Sequence, residues 1–171
     1  MDAVLSIGPD ALSGWTDFAV ASAGATAALA GLTIVTISVN VRQILAFPAL
    51  VPRSAVTIAG FVVALLSSLA LLVPQAVLAT GIEVLVITAA VVYLEVRATA
   101  ADVRQRPAPP FGYVLAHVAL AAAWILPFAV AAVLLIAGAP APGLFALAIG
   151  IGAAIVASIV NTWVLLIEIL R

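Results

Sequence analysis

The sequence predicts an all-α fold: a polytopic transmembrane helix bundle of five spans, with the amino terminus outside and the carboxy terminus in the cytoplasm. Three observations predict it. Hydrophobic residues make up 67% of the 171 and charged residues 8%, with a mean hydropathy of +1.39, so the chain lacks the charged exterior that a water-soluble domain of this length requires. The few charges separate apolar runs about as long as a bilayer core, roughly 20 residues rising 1.5 Å each. All six basic residues are Arg, and five crossings place every one of them on the same side of the membrane.

Taken in order, the predicted spans run from Trp15 to Ile44, Ala55 to Val73, Ile82 to Val96, Phe111 to Ala137 and Leu144 to Leu170 (15–44, 55–73, 82–96, 111–137, 144–170) within a single integral membrane domain, 1–171. Helix breakers separate them. Pro48 and Pro52 interrupt the first connection, Gly81 the second, the run Pro107 to Pro110 the third, and Gly138 to Gly143 with Pro140 and Pro142 the fourth. The third span is the shortest, about 15 residues between Gly81 and Arg97, and reads as tilted or partly interfacial, with its helix running on through Asp102 towards Arg106. Omitting it gives the four-span alternative.

Charge placement favours five. Arg42 and Arg53 then flank one cytoplasmic loop, Arg97, Arg104 and Arg106 fill the next, and Arg171 ends the chain, while Asp2, Asp10, Asp17 and Glu83 lie outside. Trp15 and Phe145 fall near the outer boundary, and Phe47, Tyr93, Phe111 and Tyr113 near the inner one, as expected of interfacial aromatics. The amino terminus is acidic, without the basic region of a signal peptide, and reads as retained. Pro127 predicts a kink near Ala123 and Trp124 in the fourth span.

The first span carries two unlike faces. At about 100° per residue, Ser22, Thr26, Thr33, Thr36 and Asn40 fall within roughly 40° of one line. Gly24, Ala27, Gly31 and Ser38 form a stripe of small residues opposite, the kind that lets helix backbones approach closely in lipid. On the functional reading the small face packs against the protomer and the hydroxyl face lines a wet pathway. On the structural one, the hydroxyls bond carbonyls of their own helix or make modest interhelical bonds. Asn40 needs a partner beyond its own helix.

On the last span Gly143, Gly150, Ala154, Ala157, Asn161 and Glu168 share a face whose outer half is a packing seam and whose inner half is polar. Glu95, His117, Asn161 and Glu168 all map to the cytoplasmic half of the bilayer and form a candidate polar cluster. Glu168 has Arg171 and Asp102 has Arg106 within a turn, whereas Glu95 has no base at i+3 or i+4 along its own helix and looks to Arg42 or Arg53 or to headgroup solvation. His117 is either a hydrogen-bonded structural residue or a proton relay.

The run Ala23-Gly-Ala-Thr-Ala-Ala-Leu-Ala-Gly-Leu32, continuing through Ile37-Ser-Val-Asn40 to Arg42, resembles the first helix of small uncharacterised multi-pass membrane proteins of GC-rich bacteria. The resemblance covers the first helix and implies a bacterial inner (cytoplasmic) membrane origin. It transfers no catalytic or binding residue. An Arg-only basic complement in an Ala, Val, Leu, Gly and Pro background points the same way.

With one His, no Cys and no GxSxG, HExxH or phosphate-binding Gly loop, the sequence offers no catalytic residues, metal site or cofactor site and reads as a non-enzyme. Acids and bases lie towards the span ends, against ion-coupled transport. The expected partners are the lipid bilayer, further copies of the chain and, alternatively, another membrane protein, with no nucleic acid. Two functions remain: a homo-oligomeric, channel-like protein with the first-helix hydroxyl stripe facing the axis, and a non-catalytic structural or regulatory subunit.

Overall fold

The computed structural model describes residues 12, 14–46, 50–105 and 111–170, except for the side chains at 102, 105, 111, 113 and 168–170. The described residues are helical apart from short turns: α1 (Thr16–Val39), α2 (Val41–Ala46), α3 (Leu50–Ala70), α4 (Val77–Gln105), α5 (Phe111–Ile136) and α6 (Pro140–Leu170). Five of these are long and apolar enough to cross a membrane. They expose large aliphatic side chains such as Leu32, Val133 and Ile149 on the outside of the bundle, a surface suited to lipid and not to water.

Local chemistry sets the helix ends. Asp17 lies in the first turn of α1, where the helix dipole favours an acid. Asn40 ends α1, its amide Nδ2 donating to the Thr36 carbonyl at 2.9 Å. The Asn40 carbonyl then accepts from Gln43 and Ile44, each at 3.0 Å, and starts α2. The expected single helix to Ile44 is therefore broken at Asn40, whose side chain bonds the backbone of the last turn. That bond engages one of the two N–H groups of the Asn40 amide within its own helix.

Pro52 is accommodated in the first turn of α3, where its missing N–H is not needed. At the following turn, Gln75 Nε2 donates to Glu83 at 2.8 Å and to the Ala70 carbonyl at 3.2 Å. The third span, the shortest by sequence, is a 29-residue helix with a 25-residue apolar stretch, Val77–Ala101. Gly81 lies inside this helix and does not break it. Pro127 lies within the continuous helix α5. That helix stops at Gly138, which has φ 77°. There Gly138 donates to Leu135 at 3.2 Å and Ala139 to Leu134 at 2.9 Å, a Schellman ending, and Pro140 opens α6 as its first residue.

Short connections make sequential neighbours antiparallel. The helices α3, α4, α5 and α6 close a ring, each packed against the next, and α1 lies outside it on α3 with an edge on α6. Burial follows: 17% of the apolar window of α1 is buried against 56% for α3, which makes α1 the peripheral helix. The core is filled by Phe61, Phe128, Leu135, Leu144, Leu147 and Ile151. Arg53, Arg97 and Arg104 lie at one end of the ring, called the arginine end below; Trp15 packs edge-to-face on Phe145 at the other, centroids 5.1 Å apart.

Glycines bring the ring helices together. A Cβ on Gly60 would run into the Ser158 hydroxyl, one on Gly81 would lie 3.0 Å from the Ile136 backbone nitrogen, and one on Gly150 3.1 Å from the Phe128 ring. Gly150 and Ala154, expected as packing residues of the last helix, are both buried.

The two faces of α1 are arranged the other way round from the functional expectation. Ser22, Thr26 and Thr33 are buried, whereas Gly24, Ala27, Gly31 and Ser38 are exposed. Nothing lies within 4 Å of the position a Cβ would take at Gly24 or Gly31. At Gly24 and Gly31 the small-residue stripe therefore makes no close contact with the other described residues.

Candidate functional site

The hydroxyl face of α1 is a seam within the protomer. Ser22 Oγ lies 2.9 Å from Ser68 Oγ on α3, and each hydroxyl also reaches a carbonyl of its own helix, Phe18 at 2.7 Å and Ala64 at 2.8 Å. Thr33 Oγ1 lies 3.4 Å from Thr162 Oγ1 on α6. Because Thr162 gives its proton to the Ser158 carbonyl at 2.8 Å, Thr33 is the donor of that pair. Thr36 turns back to the Leu32 carbonyl at 2.9 Å, and Thr26 Oγ1 is buried without a hydrogen-bond partner among the described residues. Of the candidate pore residues, Ser22, Thr26 and Thr33 thus lie inside the chain, and Thr36 and Asn40 are half-buried on the same helix.

The polar residues of the arginine half converge elsewhere. A cavity of about 520 Å³ opens among α3, α4, α5 and α6. From α4 it is lined by Glu95, Ala98 and Thr99; from α5 by His117, Leu120, Ala121 and Trp124, with Ala123 adjoining. On α5 these follow the i, i+3, i+4, i+7 pattern, so two turns of one face form a wall about 10 Å long. From α6 come Gly152, Val156, Val160 and Asn161, and from the first turns of α3 Leu50 and Arg53. The space exists because Ala98, Ala121, Gly152 and Ala157 stand where the other half of the bundle has Phe and Leu.

Three of the four residues of the candidate inner cluster, Glu95, His117 and Asn161, line this one cavity; the side chain of Glu168 lies outside the described residues. Glu95 is half-buried and shares the cavity wall with His117 and Trp124. Of the bases proposed for it, Arg53 shares the cavity and Arg42 is exposed on α2. Arg97, two residues on, turns to the outer surface, where Nη1 donates to Tyr93 Oη at 2.9 Å. The expected partnerships of Asp102 with Arg106 and of Glu168 with Arg171 involve side chains outside the described residues, as do the interfacial assignments of Phe47, Phe111 and Tyr113.

Sequence reasoning missed Trp124, Thr99 and Gly152. Trp124 carried a signal, its spacing of seven from His117, which puts both on one face. Pro127 matters here for a reason other than a kink: it has no N–H to offer the carbonyl four residues back, which belongs to Ala123 on the cavity wall. Among the described residues no three His, Cys, Asp or Glu side chains gather as a metal site would require.

The arrangement is a mostly apolar chamber in the membrane-spanning part of the bundle, with a carboxylate, an imidazole, an indole, an amide and a guanidinium on its wall. No family model matches the chain, nor does any curated protein or solved structure.

Proposed function

We propose that this chain is a non-catalytic five-span subunit of a bacterial inner membrane, amino terminus outside and carboxy terminus in the cytoplasm, that binds a small amphiphile in its arginine-end cavity. The observation that carries the reading is the convergence of Glu95, His117, Trp124 and Asn161 on one cavity of about 520 Å³ whose remaining wall is largely apolar. Ligand sites combine concavity, an apolar lining and a few converging polar groups in this way. The orientation follows from Arg42, Arg53, Arg97 and Arg104 lying towards one end, with Asp17 and Glu83 towards the other. The open small-residue face of α1, Gly24, Ala27 and Gly31, supports association with a further membrane helix, from a second copy or another protein.

The pore reading draws less support. It requires Ser22, Thr26 and Thr33 to be wetted at an axis between copies, and their burial against α3 and α6 leaves that axis without its polar lining. The regulatory or structural subunit is the better fit.

The test is native mass spectrometry of protein released from lipid nanodiscs. Gly152 lines the cavity, and a Cβ there meets nothing within 4 Å, so Gly152→Leu fills the chamber without a clash at the backbone. The unmodified protein is expected to retain one amphiphile that the variant loses. Equal retention by both sinks the cavity as a binding site.

A further inference from the structure

We infer that the groove between α3 and α4 at the arginine end seats an anionic phospholipid of that leaflet, its phosphate on Arg97 and Tyr93 and one acyl chain along the groove. The site is separate from the cavity and does not depend on it.

The groove holds about 340 Å³ and is lined by Val51, Pro52 and Ala55 from α3 and by Leu94, Arg97 and Ala98 from α4. Val51, Ala55, Leu94 and Arg97 are exposed, so it opens on the outside of the bundle, the side that faces lipid. It exists because Ala55 and Ala98 are short where the two helices come together. Pro52, Val56 and Ala98 also line the cavity and form the partition between the two spaces. A hydrocarbon chain laid in the groove touches protein on both flanks and gains dispersion contacts that a single helix face does not offer.

Depth and charge set the headgroup. The apolar stretch of α4 begins at Val77, and Arg97 stands about 30 Å along the helix from there, the thickness of a bilayer core. Its guanidinium therefore falls at the level of the lipid phosphates on the arginine side. Among the described residues its partner is Tyr93, one turn back on the same face. There Nη1 donates to Tyr93 Oη at 2.9 Å, and the guanidinium carbon lies 5.7 Å from the ring centroid. That bond uses one guanidinium N–H and leaves the others, together with the phenol proton, as donors. The lining residues of the groove include no acid. A phosphate, an acceptor group that arginine can grip with two parallel bonds, matches this set. Arg104 is exposed on the same face of α4, two turns and about 10 Å further on. A head ending in ammonium would bring a cation against both arginines, whereas a head of net negative charge meets opposite charge at each.

The experiment is native mass spectrometry of the full chain in detergent, titrated with phosphatidylglycerol and with phosphatidylcholine of the same acyl chains. The first phosphatidylglycerol is expected to bind about fivefold tighter, the scale of one basic residue at a membrane surface. Arg97→Gln should abolish the preference. Arg104→Gln removes the same charge two turns away and should keep most of it. Ala55→Leu fills the groove from an exposed position that does not line the cavity, and should abolish the preference too. Gly152→Leu fills the cavity and should leave it unchanged, which keeps the failure of the cavity reading distinct from the failure of this one. Equal binding of the two lipids by the unmodified protein overturns the site, and that comparison needs no variant. A preference that survives Arg97→Gln or Ala55→Leu, or that Arg104→Gln or Gly152→Leu removes, also overturns it. A dimer that Ala55→Leu dissolves would give the groove to a second copy of the chain in place of lipid.

Discussion

Alanine placed at Gly31 and, separately, at Gly81 measures which glycine faces hold the protein together. Both positions are in helix interiors, so each substitution gains about the same helical preference, roughly 0.8–1 kcal/mol, and the difference between the variants isolates the contact. At Gly31 a Cβ meets nothing within 4 Å. At Gly81 it would lie 2.9 Å from Ile136 Cγ1, 3.0 Å from the Ile136 nitrogen and 3.0 Å from Leu135 Cβ, against the 3.5–4.0 Å at which carbon contacts are favourable. Two of those three neighbours are backbone or Cβ atoms and cannot rotate away, so α4 and α5 must separate. Overpacking of this kind costs about 1–3 kcal/mol. For a chain of this size 1 kcal/mol moves Tm by about 2–4 °C. Gly81→Ala should therefore melt several degrees below Gly31→Ala, which itself should match or slightly exceed the unmodified protein. The assay is loss of the monodisperse peak on size exclusion after heating in detergent. A fall for Gly31→Ala equal to that for Gly81→Ala would refute the placement of α1, because it would require a close neighbour on its small-residue face.

Thr26→Val should leave stability unchanged or raise it by up to about 1 kcal/mol, since the buried Thr26 hydroxyl has no partner and valine has nearly its shape; reversible unfolding in mixed micelles reads the sign. A double-mutant cycle on Ser22→Ala and Ser68→Ala should give a coupling of about 0.6 kcal/mol, the scale of interhelical hydrogen bonds in membranes, and zero coupling would remove the seam. Ion and small-solute flux in reconstituted vesicles should stay at the background of protein-free vesicles both for the unmodified protein and for Thr33→Leu; flux that the substitution diminishes would restore the pore. Single cysteines at Ser6, Ala49 and Ala108, in a chain with none of its own, should label with an impermeant thiol reagent in intact cells only at Ser6.

Much of the helical frame was legible because lipid imposes length and apolarity on each span and leaves little to tertiary context. The third span was misjudged at its start: Gly81 looked like a break, yet the helix begins at Val77 and passes through it, while its continuation beyond Arg97 is as expected, with Arg97 reaching out to Tyr93 and Glu95 lining the cavity. Periodicity showed that α1 has two faces and could not say which one looks inward. In lipid, small residues and hydroxyls are both good packing surfaces, and the choice depends on what the neighbour offers. Here α3 offers Ser68 and α6 offers Thr162, more than a hundred positions on in the sequence, and no local pattern in α1 contains that information. The inner polar residues were visible one at a time as unusual groups in apolar spans. Their joint placement, and Trp124 between them, came from the ring closure of α3 to α6.

The most direct test of the account is a density map of the protein in lipid nanodiscs at a resolution that separates side chains. An elongated non-protein feature is expected in the arginine-end cavity, its head among Glu95, His117, Trp124 and Asn161 and its tail along Val156 and Val160, with Ser22 on Ser68. A cavity closed by repacked side chains, or Ser22, Thr26 and Thr33 turned to a water-filled axis between copies, would contradict it.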